Sequence, residues 1–229
     1  MVLLPHATCI AKSYFCRQFL TSYSAELRSA AGQHVRLTVL AVVIALLASV
    51  PVVLATRRSP TARTLVLAAA GGVYALPSLS LFILLQPAFG VLTDTPVLIA
   101  LTLYNLLVLL RNLFTGLDGV DPDVVEAARG MGYGPGRLFL RVELPLALPA
   151  VLAGVRVATV STIALVSVGG LIGQGGLGDL LYQGFQFDRR SELMTSLLLI
   201  VALAVIADLL LLALQRSTTR WSRAGVARA

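Results

Sequence analysis

The chain has 229 residues, of which 57% are hydrophobic and only 13% charged, against about 25% charged in a soluble domain. The hydrophobic residues fall in long uncharged runs, which excludes a soluble globular domain and defines an integral membrane protein. The net charge of +7 does not point to nucleic acid, because the basic residues flank apolar segments and form no aromatic-interleaved patch or recognition helix. They suit anchoring at the cytoplasmic face of a membrane.

Cys9 and Cys16 stand seven apart near the start, a spacing of neither the usual metal pairs nor a redox pair. With no other cysteine and only two histidines, no metal site is expected. Residues 1–16 lack the basic start and apolar core of a signal peptide. Leu20, Tyr23 and Leu27 recur at helical spacing and predict a short surface-lying helix in a lead-in covering residues 1–34. The transmembrane domain is expected over 35–215, with a cytoplasmic loop at 112–147 and a basic tail at 216–229.

Residues 37–56 contain no charge and end in Arg57-Arg58; as a helix they reach about 30 Å, the thickness of the hydrocarbon core. They form the first predicted span. Residues 64–93 are again uncharged, too long for one perpendicular span and too short for two. We expect one span over about 64–84, kinked or broken near Pro77, and a short outer segment at Gln86-Pro87; six spans in all follow if this run crosses twice. A proline break in a membrane requires that protein or water satisfy the freed backbone groups, so Pro77 is a candidate pathway or gate residue. Asp94 or Thr95 is placed to cap a third span that starts at Pro96 and runs to about Arg111. The fourth, over 146–172, is rich in small residues that permit close helix contact, and contains Arg156. Next comes a glycine-rich turn with Gly173, Gly175 and Gly176. It lacks the Lys-Ser/Thr ending of a nucleotide-binding loop and no strand precedes it, so these glycines are candidates for a gate rather than a phosphate cradle. The fifth span, about 193–214, is interrupted only by Asp208. Charges such as Arg156 and Asp208 at this depth are expensive unless paired, and an ion pair between them is expected.

Between the third and fourth spans, residues 118–145 hold 8 of the 29 charged residues. Asp121 can cap a helix beginning at Pro122 and ending near Gly130 and Gly132. A second short amphipathic helix is expected over about 137–143, after which Pro145 turns the chain into the fourth span. Glu126 and Glu143 belong to different short helices with arginines nearby, which argues against a pair of catalytic carboxylates; no catalytic residue is assigned. With this loop inside, the inner side holds eleven basic residues and the outer side six. The asymmetry places loop and C-terminus in the cytoplasm and the N-terminus outside.

The loop carries a signature. Glu126-Ala127-Ala128 is followed by Gly132 four residues later, and after nine more by Val142, one residue, and Leu144-Pro145. This resembles the Glu-Ala-Ala loop of the membrane subunits of ATP-binding-cassette importers, with Val for the usual Ile. Gln33-His34, Pro51, Val142-Glu143-Leu144-Pro145, Ala153-Gly154-Val155-Arg156 and the stretch Leu171 to Asp179 are similar to the permeases of importers for glycine betaine, carnitine, choline or proline betaine. The resemblance covers residues 19–215. It implies an all-α polytopic fold with the five-helix core of the methionine-importer-like type I permeases, in a bacterial cytoplasmic membrane. It also implies three protein partners besides the lipid bilayer: cytoplasmic ABC ATPase subunits, a second permease chain in a homo- or heterodimer, and an extracytoplasmic substrate-binding protein. Glu126, Ala127, Ala128, Gly132, Leu144 and Pro145 are then the ATPase-coupling residues. ATP and Mg are used by the partner, and this chain binds no cofactor. The alternatives are a permease of the same architecture for another solute, such as methionine or an alkanesulfonate, and a membrane scaffold that transports nothing.

Overall fold

A computed structural model describes residues 13–91 and 93–218; the first twelve residues of the lead-in and the tail arginines from Arg220 onward lie outside them. The order is α1 (Arg17–Ser22), α2 (Ser24–Thr56), α3 (Pro60–Tyr74), α4 (Ser78–Phe89), α5 (Thr95–Asp118), α6 (Pro122–Gly130), α7 (Pro135–Leu138), a π turn (Phe139–Glu143), α8 (Leu144–Gly169), a 3-10 turn (Gly170–Ile172), α9 (Leu177–Gln186) and α10 (Arg190–Thr218). α2, α5, α10 and the continuous stretch Pro135–Ile172 are each long and apolar enough to cross a membrane, and α3 with α4 forms a fifth, bent candidate. The all-α polytopic architecture expected from the hydrophobic runs is the one found.

α5 is the central helix. Its buried faces meet α2 and α8, and two of the core clusters lie at separate levels along it. At the loop end, Val53, Leu110, Phe114, Ala147 and Val151 pack together; at the opposite end, Leu37, Phe82, Leu101, Tyr104 and Val166 do so. Small residues let α5 and α8 approach closely. A methyl group on Gly116 would sit 2.9 Å from the Ala147 carbonyl oxygen, and one on Gly154 would sit 2.5 Å from Asn112 Cβ. Between the levels, the Asn105 amide donates to Thr162 Oγ1 at 2.9 Å, an interhelical bond of the kind worth about 0.6 kcal/mol in membranes.

Several boundaries differ from expectation. Residues 24–34 are not a surface helix: α2 runs through them without a break, because Leu27 and His34 bury against the rest of the protein. Only α1 remains as the short helix before it. The expected boundary at residue 34 therefore falls inside a helix. The third span does not stop at Arg111 but continues to Asp118, since Leu113, Phe114 and Gly116 are buried. Asp94 caps nothing with its side chain; it instead accepts from Gln33 at 2.9 Å and pairs with Arg36.

At Pro77 the chain makes a sharp corner, with α3 and α4 meeting at 95°. Proline has no N–H to bond back to Val73, whose carbonyl takes the Leu76 N–H at 3.1 Å instead, and the Leu76 carbonyl, past the end of α3, accepts the Tyr104 hydroxyl at 2.5 Å. That contact is the internal satisfaction a break within a membrane demands. No outer segment separates at Gln86-Pro87, because α4 passes through Pro87 to Phe89.

Candidate coupling loop and the sites around it

The loop is built from its caps inward. Asp121 accepts from the Asp123 N–H at 2.9 Å and starts α6, with Pro122 in its first turn. α6 ends in a Schellman arrangement: the Tyr133 N–H donates to the Ala128 carbonyl at 3.2 Å and the Gly132 N–H to the Arg129 carbonyl at 2.9 Å. Gly132 sits at φ +83 with open space around its missing Cβ. Within this chain, then, its role is conformational; no side chain here would clash.

α6 presents Glu126, Ala127 and Val124 outward, with Met131 exposed just past its end, while Ala128 is buried. The two alanines of the motif therefore face different ways. Ala127 is open to a partner, and Ala128 packs against its own protein. Leu138 and Phe139 are buried and anchor the far side of the loop.

Pro145 does not turn the chain. Helix runs from Pro135 to Ile172 as one unit, with the π turn absorbing the mismatch. In it the Leu144 N–H reaches back to the Phe139 carbonyl, five residues before. Pro145, which has no N–H to donate, sits in the first turn of α8, where the change from π to α pairing makes its lack tolerable. Leu144 is half-buried and Pro145 exposed. Glu143 is buried and its partner is not the neighbouring Arg141: Arg57, at the end of α2, holds it at 2.6 Å. Arg63 pairs with Asp118 at 2.7 Å and lies 4.4 Å from the centre of the Phe114 ring. The loop is thus fastened to α2 and α3 by two arginines from the basic run that follows the first span.

Farther into the bundle, Arg156 of α8 and Asp208 of α10 meet. Nε and Nη2 of the arginine reach Asp208 Oδ1 at 3.0 and 2.8 Å, and Nη2 also reaches Oδ2 at 2.9 Å. Gln215 extends this network, donating to the Pro149 carbonyl at 3.0 Å. The pair lines an open groove of about 600 Å³ with Val157, Ser161 and Leu209.

The candidate gate residues are dispersed. Pro77 is exposed at the α3–α4 corner. Gly173, at φ +72, has open space around it, whereas methyl groups on Gly175 and Gly176 would meet the Gly170 nitrogen at 2.2 Å and the Ala30 carbonyl at 2.6 Å. Gly170 and Gly178 are as tight. The turn is a knot of backbone packed on backbone, and it seats the end of α8 against α2 and α9. Asp179 ties it further, accepting from the Gly175 N–H at 2.8 Å. Burial pushes the Asp179 carboxyl above its ordinary value, and the N–H groups of Gly175 and Gly176 oppose part of that rise.

His34 is the residue whose role in this knot the sequence reading missed. It is fully buried, and its ring nitrogens lie 3.2 Å from the Gly175 carbonyl and 3.0 Å from that of Ile163. Its ring thus bridges α2, α8 and the glycine turn. A histidine beside an otherwise uncharged span was the available signal. Cys16 is buried and disulfide-bonded, a role its spacing from Cys9 did not disclose.

Residues 41–223 match the family described as the binding-protein-dependent transport system inner membrane component. The choline transport system permease protein OpuBB of Bacillus subtilis is 32% identical over 203 residues, covering 88% of this chain and 93% of that protein. The osmoprotectant import permease protein OsmW of Salmonella typhimurium is 35% identical over 201 residues, covering 86% of this chain and 94% of that protein. Among solved structures, the inward-facing MetNI methionine ABC transporter superposes with a TM-score of 0.76 at 19% identity, over 90% of this chain and all of that one, which shows a shared fold. The chain belongs to the inner-membrane component family of binding-protein-dependent transport systems: it is a permease subunit of an ABC importer, not its ATPase, and is related to the osmoprotectant permeases.

Proposed function

We propose that this permease carries small osmoprotectants of the glycine betaine, carnitine, choline and proline betaine class. The observation that carries the reading is similarity along nearly the whole chain to permeases named for choline and osmoprotectant import. The methionine importer shares the fold at much lower identity. The ATPase docks on the exposed face of α6, with Glu126 as its polar contact and Ala127 as its close one. Gly132 ends that helix, and Leu144 and Pro145 begin the helix that carries the movement inward. A second permease chain and an extracytoplasmic binding protein complete the importer in a bacterial cytoplasmic membrane.

The loop and the C-terminus lie in the cytoplasm and the N-terminus outside. Arg57, Arg58 and Arg63 cluster on the loop side, and the disulfide at Cys16 suits an oxidising compartment on the other. The Arg156–Asp208 pair holds α8 to α10 and is structural rather than substrate-contacting. The Pro77 corner and the turn with Gly173, Gly175 and Gly176 are the elements that open and close the pathway.

Uptake of labelled glycine betaine, choline and carnitine is the test, in a strain without other importers and supplied with an ATPase and a binding protein of an osmoprotectant importer. At least one should be accumulated by the wild type and not by Glu126→Lys. Accumulation of methionine or an alkanesulfonate instead would replace the cargo while keeping the permease. Failure of the ATPase to co-purify with wild type, with no uptake of any solute, would leave a scaffold.

A further inference from the structure

Two cavities open side by side where the loop meets the end of α2. One, of about 460 Å³, is lined by Arg57, Arg58, Arg129, Tyr133, Pro135 and Leu138. The other, of about 680 Å³, shares Arg57, Arg58 and Pro135 with the first and continues along Val50, Leu54 and Leu140. Together they form one depression with a basic end and an apolar end.

The basic end is under-compensated. Arg57 makes one hydrogen bond to Glu143, and a guanidinium has five donors. Arg58 and Arg129 are exposed and form no ion pair among the described residues. The apolar end runs along the last turns of the uncharged stretch 37–56, with Leu140 63% exposed beside it. Arg57 directly follows that stretch, so the basic end stands where hydrocarbon gives way to headgroups.

A free inorganic anion matches only the basic end, as does an acidic side chain from a docked protein. A molecule with an anionic head and an acyl tail matches both, and basic pockets between helices at this depth are a recognised seat for such heads. We propose that this depression binds one anionic phospholipid, its phosphate on Arg58 and Arg129 and an acyl chain along Val50, Leu54 and Leu140. The bound lipid joins α2 to the loop and restrains α6 from the membrane side. The proposal does not depend on the cargo.

Native mass spectrometry of the detergent-purified full chain, titrated with phosphatidylglycerol or phosphatidylcholine, provides the test. Phosphatidylglycerol should bind the wild type more tightly than phosphatidylcholine does. Arg58→Gln/Arg129→Gln should weaken phosphatidylglycerol about thirtyfold, while Arg216→Gln, an exposed arginine of α10, leaves it unchanged. Leu54→Gln/Leu140→Gln touches only the apolar end and should weaken the same lipid by about tenfold or more, which keeps the test decisive if the arginine variant fails to fold. Equal binding of the two lipids, or unchanged binding in both double variants, overturns the proposal. So does displacement of phosphatidylglycerol by an equal concentration of glycerol phosphate, which assigns the site to a free anion. One-for-one displacement by the purified ATPase also overturns it, by assigning the arginines to a protein contact.

Discussion

Gly132 is required for the angle of its backbone. Its φ of +83 belongs to the left-handed region, and nothing within 4 Å would obstruct a side chain. Asparagine tolerates that region, while a β-branched residue is strained there by roughly 1–2 kcal/mol. Gly132→Asn should therefore keep more transport than Gly132→Val at equal protein level in the membrane, measured as initial uptake rates; equal rates would show that the turn matters little. The two motif alanines separate as cleanly. Ala128→Leu overpacks the loop's own interior and should lower stability by about 1–3 kcal/mol, read from thermal melting in detergent. Ala127→Leu should leave melting unchanged and reduce ATPase co-purification. The motif was legible in the sequence through its resemblance to the Glu-Ala-Ala loop. Which alanine faces inward was not, because α6 has only 9 residues and its phase is set by the anchoring of Leu138 and Phe139 beyond it.

At the scale of helices, Arg156 and Asp208 were recognisable as partners because each interrupts an otherwise apolar span. That their contact is bidentate and extends through Gln215 to Pro149 depends on the angle of α10 across α8, which no single-chain periodicity encodes. Neutralising either residue should lower folded protein in the membrane, since the other is left uncompensated. The exchange Arg156→Asp/Asp208→Arg should recover part of it, and no recovery would show that the two do not act as a pair. Asp179 gives a pH dependence whose sign follows from its burial. Its carboxyl titrates above the ordinary value, so the fold favours its neutral form. That contribution is complete below the unfolded value near 3.8 and fades as pH rises through the raised folded value. Asp179→Asn should flatten this part of the melting profile, with its largest relative gain at neutral pH; a parallel profile for the two proteins would exclude Asp179 as the source. The glycine turn was visible as composition. The histidine seated against it was not, because its two carbonyl partners come from far along the chain.

Across the whole molecule, one line of helix joins loop to turn. Pro135–Ile172 is continuous over 38 residues, about 57 Å at 1.5 Å per residue. α2 holds it at both ends, through Arg57 on Glu143 and through His34 on Ile163 and Gly175. The sequence alone put a corner at Pro145, because proline normally breaks a helix; the π turn that removes the corner depends on Phe139 and Glu143 being buried, which is a tertiary fact. A load applied to α6 therefore reaches α8 and α2 together. If Arg57–Glu143 is the joint that passes it on, losing the charge should uncouple the machine without unfolding it. Arg57→Gln leaves a buried carboxylate unpaired and should cost about 3 kcal/mol, seen as a lower melting temperature. Arg57→Gln/Glu143→Gln replaces the ion pair by a neutral amide contact, worth about 1 kcal/mol, and should melt near wild type. With stability restored, the amide joint remains the weaker one, so the importer reconstituted with its ATPase in vesicles should hydrolyse more ATP for each solute molecule delivered. A wild-type ratio in that double variant would mean that the pair only holds α2 to the loop, and that the force travels through the packed faces of α5 and α8 instead.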